Sequence, residues 1–305
     1  MKNKIIANAK INLILKVLNK RTDGYHNIFS LMHKIHFGDI LKIKNIIEGP
    51  VIIECNYDIP QEENIVYKAA MALKEYTNCP CGALIKIQKR IPLGAGLGGG
   101  SSDAATILEE LNNFWHLRLT KSELRNIAVE LGSDVPFFLS SRPKWVYGRG
   151  EYCKELDCIR MVNGALEQTG FRGRVLVIYP KIHIDTGLAY QSLDRKIIDV
   201  KVDNSTYNTL ISDYECELEG CSQYAFLKNN MLNDFEEVIF NSYPEVKEIY
   251  DYLANLSGGM ARLTGSGSSV FAVFKYISQE QIDAIKQKYK DEGKDYLVFA
   301  SNFVL

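Results

Sequence analysis

Neither sign of charge is in excess in this chain. Its 36 Lys and Arg stand against 37 Asp and Glu, a formal net charge of -1, with a pI near 6.5. That balance leaves no basic footprint for nucleic acid. No apolar run approaches the length of a membrane span. The first ten residues, Met1 to Lys10, are charged and lack an apolar core, so no secretory signal is expected and the cytoplasm is the expected location. Cys-x-x-Cys does not occur, and no histidine lies near a cysteine pair. The seven cysteines are an odd number, scattered over the chain, which argues against zinc and for reduced, non-catalytic thiols. Tandem repeats and low-complexity tails are also missing.

What is present suits a globular protein. The chain has 305 residues, 46% hydrophobic and 24% charged, enough for two domains. Its most distinctive stretch runs from Pro92 through Leu93, Gly94, Ala95, Gly96, Leu97, Gly98, Gly99, Gly100, Ser101, Ser102 and Asp103 to Ala104 and Ala105. Residues 83–89 alternate as a strand before it. Residues 104–111 read as a helix after it, with Ala105, Leu108 and Leu111 on one face. Glycines let a ligand approach the backbone, and the helix that follows adds unpaired N–H groups and the positive end of its dipole. A strand, a glycine loop and a helix in that order predict an anion site, most often for phosphate. The loop does not end in Gly-Lys-Ser/Thr, so it is not a Walker A loop. Gly94-x-Gly96-x-x-Gly99 matches the bare dinucleotide pattern, but no convincing ribose-binding acid follows about twenty residues on.

The rest of the chain alternates strands and helices. Residues 4–18 read as a strand pair or strand-turn, with Lys10 and Asn12 on one face; taken alone, this stretch favours an exposed edge-strand lysine. Asp23-Gly24 signals a turn, followed by the aromatic pair Tyr25 and His26. Strands are predicted over 28–32, 39–46 and 51–55, and a helix over 64–73 with Asn64 near its N-cap. Thr120 and Glu123 form a capping box for a helix over 124–131. Asp134 follows Gly132 and precedes an apolar run. Its carboxylate is either a helix cap or a catalytic group, and local sequence favours the cap. Residues 156–173 read as irregular and as the boundary between domains. A strand over 174–180, a helix opening at Asp185, helices at 234–240, 244–256 and 279–291, and strands at 270–274 and 296–304 complete the chain. Residues 194–224 are polar and poorly patterned and read as a loop with some helix.

Five stretches together carry a resemblance. They are Ala9-Lys10-Ile11-Asn12-Leu13, Arg21 to His26, Pro92 to Ala105, Gly132 to Phe137, and Arg262 to Gly267, in that order over nearly the whole chain. The chain resembles the GHMP kinase superfamily. Lys-x-Asn followed by Asp-Gly-Tyr-His makes it most similar to the branch that acts on 4-diphosphocytidyl-2-C-methyl-D-erythritol in the non-mevalonate isoprenoid pathway. Two departures stand out: residues 158–173 are longer and less apolar than the usual link, and Tyr190 stands where some members carry phenylalanine.

The resemblance implies a two-domain α+β fold. A ribosomal-protein-S5-domain-2-like α/β domain would occupy residues 1–160, and a ferredoxin-like α+β domain residues 173–305. It implies ATP over the glycine loop, Mg²⁺ bridging the phosphates, and transfer of the γ-phosphoryl to the tertiary 2-hydroxyl of the substrate in the cleft between domains. A monomer or weak homodimer is expected, with no nucleic-acid or membrane partner. Asp134 becomes the matched acid/base, paired with Lys10, and the cap reading gives way. Pro92, Gly94, Ala95, Gly96, Leu97, Gly98, Gly99, Gly100, Ser101 and Ser102 would hold phosphates, with the two serines in reach of phosphate or metal. Asn64, Ile65, Val66 and Lys89 match the adenosine side. Asn12 would bond the erythritol end, and Thr186 would add a polar contact. Tyr25 and Tyr190 would face each other across a slot for the cytosine, with His26 at its edge.

Overall fold

The computed structural model describes residues 4–156, 159–162, 165–168, 171–194 and 202–304. The chain opens on two long strands, β1 (Ile5–Lys20) and β2 (His26–Ile46). Each absorbs what the sequence reads as separate pieces, because β-branched and apolar residues continue through the polar interruptions and are buried on both faces. β3 (Val51–Cys55), α1 (Ile65–Thr77) and β4 (Gly82–Gln88) follow. Asn64 caps α1, its Oδ1 accepting from Val66 N at 2.9 Å. α2 (Gly99–Phe114) and α3 (Lys121–Leu131) come next, the latter opened by the Thr120–Glu123 capping box. Then come β5 (Lys144–Gly148), β6 (Tyr152–Glu155), β7 (Ile159–Val162) and β8 (Ala165–Gln168).

β7 and β8 pair antiparallel, so the stretch read as irregular contains two paired strands. β9 (Arg174–Tyr179) and α4 (Thr186–Asp194) lead into α5 (Asn204–Gly220) and α6 (Gln223–Asn230). α5 falls within the poorly patterned stretch 194–224, where some helix is expected, and α6 begins at its end. Tyr207, Ile211, Tyr214 and Leu218 are the buried positions of α5, spaced as a helix face; two tyrosines disguise the stripe. β10 (Leu232–Asn233), α7 (Glu236–Ser242), α8 (Pro244–Ala254), β11 (Met260–Leu263), β12 (Val270–Phe274), α9 (Gln279–Asp291) and β13 (Leu297–Asn302) finish the chain.

Two compact units emerge, and the chain passes between them more than once. The first comprises the residues up to Ala9, Phe37–Leu93 and Gly98–Ser141; the second comprises Lys10–His36, Gly94–Leu97 and residues from Arg142 onward. In the first unit the end of β2 pairs antiparallel with β4, and β4 pairs parallel with β3. The helices α1 and α2 bury Val66, Ala69, Ala70 and Leu73 with Ala104, Ala105, Leu108 and Leu111. Small residues on both helices allow close packing.

In the second unit β10, β1, β2, β5 and β6 lie side by side. A separate antiparallel sheet has the order β11-β12-β9-β13. With α8 between β9 and β11 and α9 between β12 and β13, this is the split βαβ arrangement of a ferredoxin-like layer. Its core includes Leu176, Ile178, Val246, Ile249, Leu253, Val270, Ala272 and Ile285. Each fully buried Leu, Ile or Val there contributes about 1.5–3 kcal/mol. Among the described residues no helix is long and apolar enough to cross a membrane.

One buried group ties stability to pH. His33 on β2 is fully buried, its ring packed on Phe303 at 4.7 Å. Nδ1 lies 2.9 Å from the Lys34 carbonyl, so Nδ1 carries the proton, and Nε2 has no partner among the described residues. Burial pushes the imidazole down to about 4. The neutral ring is therefore favoured in the fold. Its contribution is present above the unfolded value near 6.5 and is lost as pH falls from there to about 4. His33→Phe is expected to remove on the order of 2 kcal/mol of the acid destabilisation in this window. Urea midpoints of both proteins at pH 7 and pH 4.5 check it; equal pH dependence in the two would place the acid lability elsewhere.

Candidate functional site

The residues of β1 arrange the first part of the site within the second unit. Lys10 is 4% exposed and Asn12 1% exposed, so the edge-strand reading of Lys10 does not hold. Burial of an ammonium requires partners, and its Nζ donates to Asn12 Oδ1 at 2.6 Å. The same Oδ1 accepts from Gly265 N at 2.9 Å and from Thr264 Oγ1 at 3.2 Å. Asn12 Nδ2 donates to Ser30 Oγ at 2.9 Å, and Ser30 Oγ donates to the Ile14 carbonyl at 2.6 Å. Asn12 is thus a buried hub that joins β1, β2 and the turn after β11. Proximity in sequence shows only Lys10 and Asn12; Thr264 and Gly265 come from over 250 residues away.

The glycine loop is held through its apolar residues. Ala95 and Leu97 are each 1% exposed. Lys10 N donates to the Leu97 carbonyl at 3.0 Å. The backbone is left-handed at Gly94, Gly96 and Gly98, with φ of 67°, 76° and 70°. Gly96 admits no other residue: a Cβ there would sit 2.1 Å from the Thr264 carbonyl oxygen.

α2 starts at Gly99, five residues before the sequence suggests, so Gly100, Ser101 and Ser102 form its first turn. The loop is shorter than read because small residues in a first turn keep helical geometry when tertiary contacts support them. Its N-cap is Gly98, which offers no side-chain acceptor. Ser102 N bonds the Gly98 carbonyl, and the N–H groups of Gly99, Gly100 and Ser101 precede the intrahelical ladder. Ser102 Oγ donates to the Asn8 carbonyl at 2.7 Å and is 1% exposed. That hydroxyl ties α2 to the start of β1; Ser101 is the half-buried one of the pair.

Lys89 lies in a buried ionic group within the first unit. Its Nζ donates to Asp39 Oδ2 and, at 2.7 Å, to Asp103 Oδ2. All three side chains are under 5% exposed. The backbone of Lys89 pairs with the Asn56 amide, N donating to Oδ1 at 2.6 Å and the carbonyl accepting from Nδ2 at 3.3 Å. Burial pushes the Asp103 carboxyl up to about 7 against the pull of Lys89, with the Asp39 charge adding to the rise. Sequence reasoning assigned no role to Asp39, Asn56 or Asp103. For Asp103 the clue was a charge beside Ala104 and Ala105 on a buried helix face; Asp39 and Asn56 carry no local signal. On the side matched to adenosine, Asn64 spends its Oδ1 on the α1 cap, Ile65 is half-buried and Val66 is 1% exposed. Pro92 is half-buried at the exit from β4.

Asp134 precedes a short 3-10 turn, Val135–Leu139, and has an αR backbone with no side-chain cap bond. Its carboxylate is therefore not the cap that local sequence favours. Phe137 and Phe138, buried against α2 and α3, anchor the turn that carries it.

Tyr190 meets two aromatic neighbours, His26 and Phe235. His26 stacks on Tyr190, with ring centroids 4.7 Å apart and planes 18° from parallel. Tyr25 is 59% exposed, with the Arg149 guanidinium 5.3 Å from its ring centre. Tyr25 belongs to the turn before β2, while His26 is the first residue of the strand and points inward. Tyr190 is fixed edge-on against Phe235 at 4.9 Å. Thr186 Oγ1 lies 2.9 Å from Ser266 Oγ. Among the described residues no group of three or more His, Cys, Asp or Glu side chains could hold a metal.

The fold and these motifs define a class. The family described as GHMP kinases N terminal domain matches residues 64–142, and GHMP kinases C terminal matches residues 222–295. A 4-diphosphocytidyl-2-C-methyl-D-erythritol kinase from Thermodesulfovibrio yellowstonii is 38% identical over 267 residues, 87% of each chain. One from a Sulfurihydrogenibium species is 38% identical over 283 residues, 91% of this chain and 94% of its own. The crystal structure of a 4-(cytidine 5'-diphospho)-2C-methyl-D-erythritol kinase superposes with a TM-score of 0.74 at 26% identity, covering 99% of this chain and 100% of that one. A Methanococcus jannaschii mevalonate kinase shares the fold at 14% identity, with a TM-score of 0.66 over 100% of this chain and 99% of its own. The chain belongs to the 4-diphosphocytidyl-2-C-methyl-D-erythritol kinase family of the GHMP kinases.

Proposed function

We propose that the protein transfers the γ-phosphoryl of ATP to the 2-hydroxyl of 4-diphosphocytidyl-2-C-methyl-D-erythritol, in the non-mevalonate route to isoprenoid precursors. The observation that carries it is the start of α2: a sixteen-residue helix capped by a glycine, with the N–H groups of Gly99, Gly100 and Ser101 ahead of its intrahelical ladder, in a chain of this family. Phosphoryl transfer asks the protein for positioning and charge stabilisation. In this reading Gly99, Gly100 and Ser101 offer N–H groups to the phosphates, and the helix dipole favours their charge. Asn64, Ile65, Val66 and Lys89 serve the adenosine side.

Asp134 accepts the proton as the hydroxyl O–H breaks, the new O–P bond forms, and the bond from the γ-phosphorus to its bridging oxygen breaks to release ADP. Lys10 stabilises the developing alkoxide. Asn12 places the Lys10 ammonium and meets the erythritol end. Tyr190 and His26 take the cytosine, with Tyr25 and Thr186 contributing at its margin. Mg²⁺ would be held beside the first turn of α2, where the half-buried Ser101 offers a hydroxyl oxygen of the kind the ion takes. When bound it would neutralise phosphate charge.

ADP release tests the proposal. Turnover with 4-diphosphocytidyl-2-C-methyl-D-erythritol and none with galactose, homoserine or mevalonate is the expected pattern; preference for one of the latter three would assign another substrate. In the same assay Tyr190→Ala is expected to raise KM for the cytidine substrate about tenfold, from lost stacking, with KM for ATP unchanged. Equal losses for both substrates would make Tyr190 a structural residue.

A further inference from the structure

The ionic group around Lys89 lies at the junction of β4 and α2. Asp39 Oδ1 accepts from the backbone of Arg90 and of Ile91, the latter at 2.7 Å, and so fixes the direction in which the chain leaves β4. Asp39 Oδ2 and Asp103 Oδ2 both take the Lys89 ammonium. Asp103 stands one turn into α2, so its bond to Lys89 pulls the start of the helix onto the end of the strand. Gly99 records how close that approach is: a Cβ there would lie 2.8 Å from Ile91 Cγ2 and 3.3 Å from Lys89 Nζ. Asp103 Oδ1 is buried with no hydrogen-bond partner among the described residues. An apolar residue at 103 would avoid that desolvation, so the carboxylate's use is the bond made by its other oxygen.

We propose that Asp39 and Asp103 are positioning residues for the nucleotide: through Lys89 they lock the first turn of α2 against the exit of β4 and so aim the N–H groups of Gly99, Gly100 and Ser101. The inference rests on the nucleotide reading of α2 given above. Neither carboxylate touches phosphate; each acts through Lys89 and the backbone.

The experiment uses the full chain with Asp103→Ala and Asp103→Asn. Misplacing phosphate donors by a fraction of an ångström weakens binding on the order of tenfold. Asp103→Ala is therefore expected to raise KM for ATP and Kd for ADP about tenfold, with KM for the alcohol unchanged and kcat within a few-fold. Asp103→Asn keeps an acceptor oxygen for Lys89 and should fall between wild type and Ala. A purely structural role would lower Tm but leave ADP affinity of the folded protein intact, and that result overturns the proposal. If Asp103→Ala does not fold, the isosteric Asp103→Asn decides by the same comparison: wild-type ADP affinity overturns, weakened affinity supports. ADP calorimetry separates this from the substrate assignment. A weakened ADP Kd in a protein that phosphorylates none of the four alcohols would leave the clamp standing and remove the proposed substrate. Unchanged ADP Kd alongside wild-type turnover of the cytidine substrate would do the reverse.

Discussion

Asp134→Asn is expected to lower turnover by ~10²–10⁴-fold while the protein folds and binds both substrates, because a positioned general base typically contributes that much. The amide is nearly the same size as the carboxylate but takes no proton at neutral pH. Because the Asp134 side chain makes no cap bond to the turn it precedes, its loss as an acid leaves that turn's backbone intact. Lys10→Ala is expected to cost a comparable factor, since its ammonium is buried and held by Asn12 rather than left in solvent. If the two residues act as a unit, the double variant will cost less than the product of the single losses. Single-turnover kinetics with thermal melts as a folding control make the measurement. Near-native turnover in folded Asp134→Asn would leave catalysis to positioning by the glycine loop, Lys10 and the metal.

Asn12→Ala carries the second large effect, and it is one on stability as well as activity. Its Oδ1 alone accepts from Lys10 Nζ, Gly265 N and Thr264 Oγ1, and its Nδ2 donates to Ser30. Removing the amide strands several polar groups in a site with almost no water access. Each buried donor or acceptor left unmade costs about 1–3 kcal/mol, so a loss of roughly 2–4 kcal/mol is expected after local relaxation. The Lys10 ammonium also loses the acceptor that holds it, so kcat should fall with stability. Urea unfolding gives the first quantity and initial rates at saturating ATP the second. An unchanged urea midpoint with only the alcohol KM raised would make Asn12 a substrate ligand and nothing more. Tyr190→Ala is the natural contrast: half-buried and at the margin of the second unit's core, it should change one KM and little else.

The parts of this protein that were legible in its sequence are those with short-range causes. The Asn64 cap, the Thr120–Glu123 capping box, the opening of α4 at Asp185 and the strand–glycine–helix order all depend on residues within one or two turns of each other. Such hydrogen bonds close small rings, so spacing alone specifies them. The Lys-x-Asn, Asp-Gly-Tyr-His and glycine-loop stretches were legible too, as chemistry without geometry. The helix α5 carried a readable stripe that tyrosine obscured.

By itself the sequence determined the kinds of element, the order of the motifs and the class of chemistry that a glycine loop, a lysine and an aspartate can perform. Tertiary structure alone decided which partner each polar side chain meets. Lys89 finds Asp39 fifty residues away and Asp103 fourteen away, Asn12 finds Gly265 across 253 residues, and His26 stacks on Tyr190. The physical reason for the first two is the same. A buried charge or amide must be satisfied wherever packing leaves it, and packing of distant strands and helices, not local spacing, sets which donors and acceptors are within reach.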